Sequence, residues 1–209
     1  MWTVFFMGKY GKRIGICLLA AALIWTAGLI RDRNLLKEEM IRLHVVGASD
    51  SEEDQAVKLQ VRDAVLASLG ADLGHLTDGD AAVAYLQEQL PKIEAAANGV
   101  LEAAGFSDRV RVSLDMEAFP TRFYETFALP SGVYRTLRVV IGTGEGQNWW
   151  CVAFPGLCTG ATSEEFQAAA SCAGFPEELT QTLQTEESYE IRFYLLDLLG
   201  RIENLLFGE

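Results

Sequence analysis

Histidine, cysteine and basic residues are the scarce materials of this 209-residue chain: two His, four Cys, and seventeen Lys plus Arg against twenty-nine Asp plus Glu. His44, in a strand-like run, and His75, in a turn-like one, are too few imidazoles to assemble a zinc centre, and no CxxC pair supplies thiolates for one. Four cysteines also fall short of a disulfide scaffold. The shortage of cations argues against DNA or RNA as a partner, because nucleic-acid affinity rests on basic groups displacing counterions from phosphate. Two catalytic signatures are missing as well. No GxSxG surrounds Ser131, Ser163 or any other serine, and no Gly-Lys-Ser/Thr follows the glycine-rich Gly142–Gly146, where Glu145 would repel a phosphate. The acids Asp50, Glu52, Glu53 and Asp54 lack the central glycine and final glutamate of a calcium loop, and read instead as negative charge at a helix start. No catalytic set, cofactor or metal is expected.

What the chain does have is apolar material. Half of it is hydrophobic, enough for a real core, which excludes disorder as the main state. Charge is distributed unevenly: residues 1–40 carry six basic and three acidic groups, whereas residues 41–209 carry eleven and twenty-six, a net of −15. Lys9, Lys12 and Arg13 precede the uncharged run Ile14–Ile30, and Arg31, Asp32 and Arg33 close it. As a helix the run is about 26 Å long, just enough to span a membrane. The basic cluster before it favours a cytoplasmic amino end and an exported body. A cleavable signal peptide has the same charge layout, so an anchor and a signal fit residues 1–40 equally well.

Residues 41–209 read as a single α+β domain of antiparallel strands packed with helices. IRLHVV at 41–46 alternates as a strand with one face in a core. Ser51 and the acids after it start a helix to about Leu69, with Val57, Val61 and Val65 on one stripe and Leu59 and Leu66 flanking it. A polar turn from Gly74 to Gly79 follows. A second helix begins near Asp80, is broken or kinked by Pro91, and resumes to Ala104. Val110, Val112 and Leu114 mark a strand. Phe123–Leu129 and Val133–Ile141 read as two more, joined by a hairpin turn at Pro130-Ser131-Gly132. Short helices are expected over 163–171 and 176–184. YEIRFYL at 189–195 alternates as a strand, although Leu195, Leu198, Leu199 and Ile202 also form a helical stripe.

Between Phe119 and Phe154 eight of thirty-six residues are aromatic, about twice the share of the whole chain, marking a core organiser or a binding face. Trp149 and Trp150 are adjacent, so in a strand one faces away from the other and one can serve a partner surface, with Asn148 beside them. Asp50 and Asp54 are the second candidate contact. Cys151 and Cys158 bracket a Pro155-Gly156 turn and can form a disulfide in an oxidising compartment; two free thiols, or pairing with Cys172, are the alternatives.

In order and spacing, IRLHVVGASDSEEDQAVKLQVRDAV at 41–65, the stretch Phe119–Cys158 and YEIRFYLLDLL at 189–199 resemble the blocks of the stage II sporulation protein R family of endospore-forming bacteria. Ala48 departs from the family's Asn, and Gly156 from the second Pro of its Phe-Pro-Pro-Leu-Cys turn. The resemblance implies a protein made in the forespore and exported to the space between the forespore and mother-cell membranes. There it would trigger a membrane-bound aspartic protease that removes the pro-sequence of the sigma-E precursor. It implies a ligand rather than an enzyme and brings no catalytic residues. A structural membrane-anchored protein and an envelope hydrolase are the rival classes.

Overall fold

The structure, a computed structural model, describes residues 2–73, 75–158, 162–184 and 191–207, and the chain divides into two compact units, Met1–Asn34 and Leu35–Glu209. The first lies in helix α1 (Trp2–Glu39), of which Tyr10–Glu39 is long and apolar enough to cross a membrane.

The second unit is α+β. Its four-stranded sheet has the order β2-β5-β1-β6, with β1 Ile41–Val46, β2 Val110–Phe119, β5 Gly132–Ile141 and β6 Asn148–Phe154. The β2–β5 and β1–β6 ladders are antiparallel as expected, whereas β1 and β5 are parallel, Leu43 opposite Leu137. Helices α2 (Glu52–Leu73) and α3 (Gly79–Ala103) cover one face. Ile41, Leu43 and Val45 meet Val57, Val61 and Val65 of α2 and Leu86, Ile93, Ala97 and Leu101 of α3 in one cluster. Leu66 joins its margin, but Leu59 is exposed, so α2 is covered on one flank only.

Of the two outcomes expected at Pro91, a break or a kink, the break does not occur, and helix α3 continues through it. Pro91 and Gln87, whose carbonyl loses a partner to the proline, both face solvent, and buried Leu86 and Ile93 hold the helix on either side. The expected hairpin at Pro130-Ser131-Gly132 is also corrected. Phe123–Leu129 folds on itself: β3 (Arg122–Phe123) pairs with β4 (Ala128–Leu129), Arg122 opposite Leu129. Glu125 and Thr126 occupy the reversal, while β5 takes β2 as its partner over ten residue pairs, a far longer ladder than the first run could offer.

Helices α4 (Ser163–Cys172) and α5 (Glu177–Leu183) stand where expected. The strand expected over 189–195 is instead the start of α6 (Ile191–Phe207); Tyr189 and Glu190, like Gly74, lie outside the described residues. Its burial follows the helical period, with Leu196, Asp197 and Gly200 inward. Gly200 is required by close approach, because a Cβ there would stand 1.6 Å from the Ser131 carbonyl oxygen. Asp197 accepts from the Ser131 N–H at 2.8 Å, from the Thr121 hydroxyl and from Arg201 Nε at 2.8 Å. Thus the segment expected to be a free turn is clamped by α6.

Candidate functional site

Because strand side chains alternate, Arg42 and His44 project from β1 away from the α2–α3 core. The sequence reads this as an open face. In fact the aromatic stretch covers it, and Arg42 is fully buried, 0% exposed. Its guanidinium carbon lies 4.3 Å from the ring centre of Phe119 and 5.3 Å from that of Tyr134. It donates to the Tyr124 hydroxyl at 2.8 Å and to the Cys151 carbonyl at 3.3 Å, while its Nη1 has no hydrogen-bond partner. Burial lowers the Arg42 pKa, opposed by the neighbouring Tyr124 and Tyr134. Burial likewise raises that of the Tyr124 phenol, against the pull of Arg42. Ring faces thus hold the cation where a carboxylate is the usual partner.

The cluster continues outward along β6. His44 stacks on Trp150 at 5.5 Å, and the Arg122 guanidinium lies over that indole, 3.6 Å from the ring centre. His44 Nδ1 meets Glu117 Oε2 and Nε2 meets Asn148 Oδ1, each at 2.9 Å, and Glu117 also pairs with Arg138 at 3.2 Å. With both ring nitrogens engaged, the imidazole is a spacer that orients Trp150 and Asn148. Beside it an open cavity of about 210 Å³ is lined by Tyr124, Thr126, Trp149, Trp150, Leu157 and Cys158.

The structure brings Asn148 and Trp150 together on this face. Trp149 points the other way, half-buried against the α2–α3 core with Arg62 5.0 Å from its ring centre. Asp50, in the loop from β1 to α2, and Asp54, in the first turn of α2, lie at the same end of the sheet as Asn148. That loop is tied to the β5–β6 connection: Gly146 N–H donates to the Gly47 carbonyl at 2.9 Å, and Lys58 Nζ to that of Gln147 at 2.9 Å. Burial lowers the Lys58 pKa, opposed by the nearby charge of Asp50. Asp50 is exposed; Asp54 accepts from the Ser49 hydroxyl and its N–H is capped by Ser51, so it fixes the loop. Cys151 and Cys158 form a disulfide with Cα atoms 5.2 Å apart, and Cys17 and Cys172 are free. Among the described residues no group of His, Cys, Asp and Glu is placed to hold a metal ion.

Arg42, Arg122, Tyr124 and Glu117 were not singled out by sequence. The available signal was the aromatic excess of 119–154, half of which is core (Phe119, Phe127, Tyr134, Phe154) and half exposed or partly so.

These residues fall within the part of the chain that known proteins share. The family model for stage II sporulation protein R matches residues 37–164, spanning both the β1–α2 block and the aromatic stretch but not the 189–199 block. Stage II sporulation protein R of Bacillus subtilis (strain 168) is 34% identical over 161 residues, covering 70% of each chain. No solved structure matches. The chain belongs to the stage II sporulation protein R family, and its role is in sporulation.

Proposed function

We propose that the chain is an exported sporulation signal, a ligand without catalytic activity. Its domain, residues 41–209, activates a membrane-bound aspartic protease that processes the sigma-E precursor and so couples forespore to mother-cell gene expression. Residues 1–40 deliver that domain to the intermembrane space as signal peptide or anchor. The family match over 37–164 carries this reading, since it covers the sheet and the whole Arg42–Trp150 cluster. The Trp150, Arg122 and Asn148 face is the proposed receptor contact, with Asp50 and Asp54 at its margin and Trp149 bracing it from behind. A half-buried indole held between a cation and an imidazole is a rigid anchor of the kind that concentrates interface energy. In the test, the full chain is co-expressed with the protease and a pro-sigma reporter. Processing should require the chain and fail with Trp150→Ala. Unchanged processing without the chain, or turnover of peptidoglycan by the purified protein, would overturn the reading.

A further inference from the structure

Helix α6 turns an apolar stripe outward. Ile191, Tyr194, Leu198, Ile202 and Leu205 recur at steps of three and four, the spacing that aligns side chains on one helix face. All are exposed, from 40% for Leu198 to 85% for Leu205. Seventeen residues make this line about 25 Å long. The orientation is fixed from the inner side, because turning the stripe inward would carry buried Asp197 into water and remove Gly200 from the Ser131 carbonyl it touches. Both acids of α6 are engaged away from the stripe, Asp197 as described and Glu203 with Lys37 at 2.6 Å. The basic residues of α6 are engaged as well, Arg201 with Asp197 at 2.8 Å and Arg192 with Glu178 at 2.9 Å. Exposed Phe123, 6.4 Å from Phe193, extends the patch onto β3.

We propose that this stripe lies in the interfacial layer of a phospholipid bilayer, a membrane contact separate from the N-terminal helix. Aliphatic side chains and one tyrosine suit the acyl-chain border of a bilayer, and the attraction is apolar, because a domain of net charge −15 gains nothing from anionic headgroups. Connectivity favours lipid over a second copy of the chain. Lys37, bonded to Glu203 of α6, follows Ile30 by seven residues, which reach at most about 25 Å in any conformation. Whenever the apolar run occupies a bilayer, this tether alone keeps the Lys37–Glu203 pair within about 25 Å of Ile30, within reach of the same bilayer. A single row of side chains is also small beside the roughly 800 Å² per partner of a stable protein interface.

The test uses the full chain in vesicles of phosphatidylcholine, with Cys17→Ser and Cys172→Ser. An environment-sensitive fluorophore is attached at Leu198→Cys, Ile202→Cys or Leu205→Cys, and at Arg109→Cys as an exposed control. Circular dichroism and thermal unfolding establish that each labelled chain is folded. Labels on α6 should shift to the blue, be quenched by spin-labelled lipid and be shielded from aqueous iodide, whereas the control should behave oppositely. Iodide quenching of all three α6 labels without quenching by lipid would overturn the proposal. Shielding from iodide with no response to spin-labelled lipid, accompanied by cross-linking between chains, would overturn it in favour of a second copy.

Discussion

Arg42 shows how a cation survives burial without a carboxylate. Three aromatic rings, one phenol and one carbonyl take the place of an acid, so its neighbourhood must be built as a unit. The two tryptophans divide along the same lines. Trp150→Ala removes the exposed end of the cluster and should cost more than about 2 kcal/mol of receptor binding, roughly thirtyfold, with little change in melting temperature. Trp149→Ala leaves a void beside the α2–α3 core and should lower the melting temperature. Parallel thermal unfolding and pro-sigma processing separate the two; early unfolding of both variants would assign both indoles to stability. Asp197 gives a pH test. Its burial opposes ionisation, but donors from Ser131, Thr121 and Arg201 outweigh that and hold its pKa below the ordinary value. Its contribution is therefore complete above roughly pH 4 and fades as pH falls through the lower folded value. Asp197→Asn should destabilise the domain by about 1–3 kcal/mol at neutral pH, and the gap from the native chain should close in acid. Urea unfolding at pH 7 and pH 3 measures both. Alternation along IRLHVV made the core face of β1 legible, but not that Arg42 is buried too, because its cover comes from residues about eighty positions away.

The elements best read from the sequence were those whose signal is local. α2, α4 and α5 each show a cap or initial acids together with apolar periodicity. The hairpin at Pro130 and the strand at 189–195 were misread because their outcome is decided at a distance. Pro130-Ser131-Gly132 carries ordinary turn residues, yet Asp197 captures Ser131 and the β5 residues find a longer partner in β2. YEIRFYL satisfies the periods of two and of 3.6 equally, and α6 is selected by its docking through Leu196 and Gly200. The turn after β6 is the element that covalent chemistry reinforces. Closing a loop of sequence separation 7 stabilises by about 2.5 kcal/mol in the chain-entropy account. Replacing Cys151 and Cys158 together by serine should lower thermal stability accordingly. Mass spectrometry of unreduced peptides from exported protein should show the pair joined, and free thiols or linkage to Cys172 would refute it.

For the whole chain, export was the clearest inference from sequence, because a basic cluster before an apolar run is a one-dimensional signal. A reporter active only after export, fused after Glu209, should be active, and exclusive activity of a cytoplasmic reporter there would reverse the topology. The two edges of the sheet differ in kind. The Val110 N–H of β2 donates to Asn98 Oδ1 at 2.9 Å, and the Val112 N–H to Glu94 Oε2 at 3.0 Å, so α3 already occupies backbone groups on that border. Among the described residues β6, the opposite border, has β1 as its strand partner, and its Val152 carbonyl accepts from the Leu157 N–H at 3.1 Å, so the following turn covers its carboxyl end. A sheet blocked on one side and open along only part of the other can accept one further strand but cannot pass the invitation on. Self-association through backbone pairing therefore terminates at a pair, which protects the chain from fibre growth. Asn98→Ala combined with Glu94→Ala reopens the blocked side, and light scattering of the concentrated variant should rise with time where that of the native chain stays level.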